Sequence, residues 1–184
     1  MEPLRQIFAL VCSRGHCWAP GGEVLPFCQR CTGLYVGAAV GLALVALFRP
    51  RPTSLFLWAH GLMLLVMVPF GYHLVPQNGA LRTLTGQLFA AGLVGYLALV
   101  PAAWLRFQRE DGDRGSGRYA LGLIGSLAAL QAVVHLGGRL AGTVLAWLGL
   151  LGLIALAVLL AANLLLLPAA VWRAVQRRAV STAP

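Results

Sequence analysis

CSRGHCWAPGGEVLPFCQRCTGLYVGAAVG, residues 12–41, holds all four cysteines and one of the four histidines of the chain. Its first part cannot run as one long helix, because Gly15, Pro20, Gly21, Gly22 and Pro26 interrupt it. Its second part is apolar and places Gly33, Gly37 and Gly41 at every fourth position. The stretch therefore reads as a compact cysteine loop feeding a membrane helix over roughly 32–48. Three glycines on one helix face let another helix approach closely. That face is also the one offered to a homo- or hetero-oligomeric partner.

The rest of the chain sets the environment. Of 184 residues, 59% are hydrophobic and 10% are charged, against about 25% charged in soluble domains. Mean hydropathy is +0.80. Such a chain cannot cover itself with polar surface, so the lipid bilayer is its expected solvent. The reading is an all-α polytopic membrane helix bundle, one integral membrane domain over 1–184. Beyond the first span, apolar runs predict helices over roughly 54–74, 84–105, 119–136 and 141–170. Residues 1–31 precede the spans. Leu4, Ile7, Phe8 and Val11 share one helical face there, which suits a short interfacial helix. No basic region precedes an apolar run, so the N-terminus is expected to stay uncleaved.

Charge gives orientation. The net charge of +9 comes from fourteen arginines, with no lysine, against five acids. The arginines lie between apolar runs, where the positive-inside rule places them, rather than in a nucleic-acid-binding patch. With five spans, one side carries Arg49, Arg51, Arg106, Arg109, Arg114, Arg118, Arg173, Arg177 and Arg178. The other carries Arg5, Arg14, Arg30, Arg82 and Arg139. The arginine-rich side is expected in the cytoplasm with the C-terminus. The cysteine loop is then expected outside, in a plasma (inner) membrane. The same count gathers every cysteine with His16, His73 and His135 on the outer face.

Two runs carry a resemblance. Leu25-Pro26-Phe27-Cys28-Gln29-Arg30-Cys31-Thr32-Gly33-Leu34-Tyr35-Val36-Gly37, with Cys12 upstream, is similar to the signature of the domain-of-unknown-function family 2085. Asn78, Leu81-Arg82 and Thr85-Gly86 form a second piece that resembles it. That family consists of small prokaryotic membrane proteins. Ser13 stands where the family usually has histidine. The resemblance implies a helical membrane protein and brings no activity.

The cysteines admit three readings. In the first they bind metal. Cys12, Cys17, Cys28 and Cys31, with His16 beside them, offer two half-sites of thiolates, which suits zinc or a single iron. The fourth ligand is Cys17 or His16, and the role expected is structural. In the second, Cys28-x-x-Cys31 at a helix N-terminus works with Cys12 and Cys17 as a quinone-linked thiol–disulfide oxidoreductase. In the third, two structural disulfides hold the loop of an accessory subunit in a larger membrane complex.

Polar residues outside the loop are fewer. Arg82, Asn78 and Thr85 at a helix N-terminus form a candidate anion or quinone-carbonyl site, with His73 and His135 as candidate ligands or proton carriers. Arg82 alternatively caps a loop or snorkels. His60, Gln87, Gln131 and Asn163 are expected to hydrogen-bond between helices. No span contains an acid, which argues against a proton-coupled transporter built on a buried carboxylate.

Overall fold

Side-chain caps mark where two of the helices begin in the computed structural model, which describes residues 2–12, 15–72, 74–104 and 112–181. Helix α1 runs Glu2–Ala9, and the cysteine loop follows it with one 3-10 turn at Pro20–Gly22. Helix α2 runs Gln29–Phe48 from a Cys28 N-cap. Helix α3, Ser54–Gly71, starts at Thr53, whose hydroxyl accepts from the Phe56 N–H at 3.2 Å. Helix α4, Gly79–Leu97, starts at Asn78, whose side-chain oxygen accepts from the Leu81 N–H at 2.8 Å. The Thr53 and Asn78 side chains each satisfy one of the donors that a first helical turn leaves open. Helices α5 (Leu99–Trp104), α6 (Gly112–Leu136) and α7 (Arg139–Ser181) complete the chain.

Among the described residues, five stretches are long and apolar enough to cross a membrane: Gln29–Phe48, Ser54–Gly71, Gly79–Ala103, Gly115–Leu136 and Arg139–Ala169. The protein is therefore an all-α polytopic membrane bundle. The third span joins α4 to α5 through Ala98. Pro101 lacks the N–H that would bond the Leu97 carbonyl. Asn163 of α7 supplies the donor instead, with Nδ2 at 2.7 Å from Leu97 O. No water reaches such a carbonyl in hydrocarbon, so the neighbouring helix must satisfy it.

Helix α4 is the centre of the bundle. It packs on α2, α3, α6 and α7. A Cβ at Gly33 would lie 2.0 Å from the Thr83 carbonyl oxygen, and one at Gly37 would lie 2.9 Å from the Gln87 side chain. The glycine face that the sequence offers to a partner chain is thus occupied by α4 of the same chain. A second close approach brings α7 to α2, where a Cβ at Gly152 would meet the Tyr35 carbonyl at 1.7 Å.

His60, Gln87, Gln131 and Asn163 bond across the bundle. Gln87 Nε2 donates to Ser126 Oγ at 3.1 Å, and Gln131 Nε2 donates to the Ala80 carbonyl at 3.1 Å. His60 Nδ1 lies 2.7 Å from the Phe56 carbonyl, and Nε2 lies 2.8 Å from the Tyr119 hydroxyl. A carbonyl only accepts, so Nδ1 carries the proton and Nε2 of the neutral ring accepts from Tyr119.

Helix α1 packs on the bundle through one apolar pair. Leu4 and Phe8 are buried in the main core with Leu25, Phe27, Tyr35 and Val36. Ile7 and Val11 are exposed. The apolar face expected for α1 is therefore split, and only its i, i+4 pair turns inward.

Candidate metal centre

The cysteine loop is folded back on itself and clamped at three points. The Leu25 N–H donates to the Trp18 carbonyl at 2.8 Å, and the Gln29 N–H donates to the His16 carbonyl at 2.7 Å. Cys17 and Cys28 face each other as an isolated antiparallel bridge. Phe27 inserts into the core, edge-on to Phe8 with centroids 4.7 Å apart. At the loop tip Gly21 takes a φ of 62°, a conformation open to glycine at little cost. Glu23 pairs with Arg139 at 2.9 Å, which joins the loop to the start of α7.

Trp18 is the anchor that the sequence reading does not single out. Its indole N–H donates to Thr83 Oγ1 of α4 at 2.8 Å. The Thr83 hydroxyl in turn lies 3.0 Å from the carbonyls of Gln29 and Gly79. Only the placement of an indole beside a threonine of another helix reveals this, and no spacing in the sequence encodes it. The other face of Trp18 meets His135 of α6 edge-on, with centroids 4.7 Å apart.

This folding brings three cysteines together. The Sγ atoms of Cys12, Cys28 and Cys31 all lie within 4.8 Å of one another. Cys12 reaches them because its N–H caps α1 on the Phe8 carbonyl at 2.9 Å. Its sulfur accepts the Cys28 N–H at 3.2 Å. Cys28 and Cys31 come from the first turn of α2. None of the four cysteines forms a disulfide.

A tetrahedral ion with metal–sulfur bonds of about 2.3 Å sets its thiolates about 3.8 Å apart. The three sulfurs lie within 4.8 Å of one another, so the group could hold a metal ion. The electrostatics agree. The Cys31 thiol donates to the Cys28 sulfur, and this bond holds the Cys28 thiol down to about 5 against the opposing effect of burial. The backbone N–H groups of Cys31 and Arg30, and Cys12, act in the same direction. Thiolate is the ligand form.

The remaining candidates are placed as follows. His16 is exposed and Cys17 is half-buried, and neither belongs to the three-thiol group. Asn78 spends its side-chain oxygen on the α4 cap. Thr85 donates to the Leu81 carbonyl one turn back at 2.8 Å. Arg82 is half-buried on the first turn of α4, and His135 is exposed beside Trp18. His73 lies outside the described residues. Arg30 acts as a brace: one Nη2 donates to the Phe70 carbonyl at 2.9 Å and to Gln77 Oε1 at 2.7 Å. It joins the start of α2 to the end of α3.

The cysteine triad thus sits at the mouth of α2 and is tied to α4 through Gln29 and Thr83. Residues 12–96 match the family DUF2085, predicted membrane protein. The DUF2085 match takes in the cysteine loop, α2, α3 and all but the last residue of α4. All three clustered cysteines lie inside it. No curated protein and no solved structure matches the chain.

Proposed function

We propose that this integral membrane protein carries a thiolate metal centre, zinc by preference, held by Cys12, Cys28 and Cys31. The convergence of the Cys12 sulfur with those of Cys28 and Cys31 carries the reading. Three soft donors select zinc or a single iron over hard oxygen-seeking cations. Three protein ligands leave a fourth corner for an exogenous donor, the pattern of zinc sites that keep an open position. The ion also joins the end of α1 to the start of α2, so it orders the N-terminal segment on the bundle. The arginine count supports a plasma-membrane location with this centre outside and the C-terminus in the cytoplasm. A topology reporter fused after Pro184 checks that orientation: a reporter signal from outside the cytoplasm refutes it.

Elemental analysis of reduced, metal-replete protein tests the centre. About one equivalent of zinc or iron per chain is expected. Less than about 0.2 equivalents of any transition metal refutes it.

A quinone-linked thiol oxidoreductase is the second reading. Cys28 supports it, since a thiol drawn down to about 5 at a helix N-terminus is a competent nucleophile. The same acidity serves a metal ligand, and Asn78 is committed to the α4 cap. The metal reading therefore leads.

A further inference from the structure

Cys17 is the cysteine left outside the three-thiol group, yet its backbone is locked to one member of it. The bridge pairs Cys17 directly with Cys28. The hydrogen bond that frames the pair runs between their neighbours, from Gln29 N–H to the His16 carbonyl at 2.7 Å. The Cys28 N–H itself goes to the Cys12 sulfur. Cys17 and Cys28 are thus a non-hydrogen-bonded antiparallel pair. Such pairs hold their Cα atoms about 4.5 Å apart with side chains on one face. Disulfides form across Cα separations of roughly 4.4–6.8 Å.

We infer that Cys17 and Cys28 are a reversible disulfide pair, and that closing it withdraws Cys28 from the metal centre. The pairing stands on the backbone geometry alone. Its consequence for metal rests on the thiolate-centre reading.

The oxidant is a small-molecule disulfide. The Cys17 thiolate, its proton released to solvent, attacks one sulfur of the oxidant and forms a mixed disulfide. One small thiolate leaves. The Cys28 sulfur, which would hold the metal in the loaded protein, then attacks the Cys17 sulfur. The Cys17–Cys28 bond forms, the mixed disulfide breaks and the second small thiolate leaves. Two protein thiols lose two electrons, and the oxidant gains them as two small thiols. Reduction by excess small thiol runs the exchange backwards.

Cys17 begins the exchange because the sulfurs of Cys12, Cys28 and Cys31 would hold the ion in the loaded protein. With one of three ligands withdrawn, Cys12 and Cys31 alone hold the ion weakly. The neighbouring bond of Gln29 to His16 keeps the pair in register, so closure asks for side-chain rotation rather than refolding of the loop.

The test uses the full chain in detergent, loaded with cobalt as a spectroscopic substitute for zinc and titrated with oxidised glutathione. Peptide mapping is expected to recover a Cys17–Cys28 disulfide. The cobalt–thiolate absorbance is expected to fall in step and to return with reduced glutathione and added cobalt. Cys17→Ser is expected to bind cobalt as the parent does and to lose its absorbance at least tenfold more slowly. A dominant Cys28–Cys31 or Cys12-containing disulfide overturns the pairing. Loss of cobalt binding in Cys17→Ser also overturns it, because Cys17 is then a ligand. If the parent binds no cobalt, the metal centre falls. The disulfide mapped after metal-free protein is treated with oxidised glutathione then still decides whether Cys17 and Cys28 pair.

Discussion

The backbone N–H of Cys28 donates to the Cys12 sulfur at 3.2 Å across sixteen residues of loop. This bond places the Cys12 sulfur beside the first turn of α2. Cys12→Ala removes a ligand and that acceptor together. It is expected to weaken cobalt binding by more than the roughly 10–100-fold seen when only an outer hydrogen-bond partner is lost. Equilibrium dialysis against a competing chelator measures it. A change below tenfold means that Cys12 is not a ligand.

The sequence carried the five spans and the loop because apolar length and glycine–proline punctuation are local signals. Which cysteines converge is not local. Cys28 and Cys31 are joined by helix geometry, whereas Cys12 arrives because Phe8 is buried and α1 ends above it. Nothing in the spacing separates Cys17 from Cys12, and only the bridge to Cys28 does so. His60, Gln87, Gln131 and Asn163 were legible as interhelical residues, since polar groups in hydrocarbon must find partners. Their partners are mostly backbone carbonyls and hydroxyls on distant helices, which no residue pattern specifies.

Cys28 sets a pH dependence. Its thiol is lowered to about 5, first by the hydrogen bond from the Cys31 thiol. An acid lowered on folding adds stability above its unfolded value, near 8.5. That stability is lost progressively as pH falls through about 5. In reduced, metal-free protein the alkylation rate of Cys28 is expected to stay nearly level from pH 8 to 6 and to drop below about 5. Cys31→Ala, lacking the donor, is expected to move that midpoint upward. Iodoacetamide labelling quantified at the Cys28 peptide reads both curves. An unshifted midpoint in Cys31→Ala refutes the assigned cause.

The glycine stripe on α2 is graded along its length. At Gly33 a Cβ would meet the Thr83 carbonyl at 2.0 Å, a rigid backbone atom, whereas at Gly41 the nearest atom is Val94 Cβ at 3.8 Å. Gly33→Ala is expected to destabilise the bundle by about 1–3 kcal/mol or more, as overpacking does. Gly41→Ala is expected to be neutral or slightly stabilising, since it relieves a helix glycine of about 0.5–1 kcal/mol. Denaturant unfolding in detergent ranks the two. Equal effects mean that the α2–α4 approach is not what the glycines serve.

The bond from Asn163 to the Leu97 carbonyl tests whether Pro101 created the need for it. Asn163→Leu removes the donor, and the carbonyl has no N–H at position 101 to fall back on. The expected cost is about 0.6–2 kcal/mol, the range of interhelical hydrogen bonds in membranes. Asn163 also donates to the Leu159 carbonyl at 2.8 Å in its own helix, so the single substitution mixes two losses. A double-mutant cycle separates them. Pro101→Ala restores an N–H one turn below Leu97 and lets the helix satisfy its own carbonyl. In that background Asn163→Leu is expected to cost measurably less, with a coupling of at least about 0.5 kcal/mol. Unfolding curves of the four proteins in one detergent give the coupling directly. A cycle that closes to zero shows that Asn163 stabilises the bundle by packing and not by serving the carbonyl that proline leaves open.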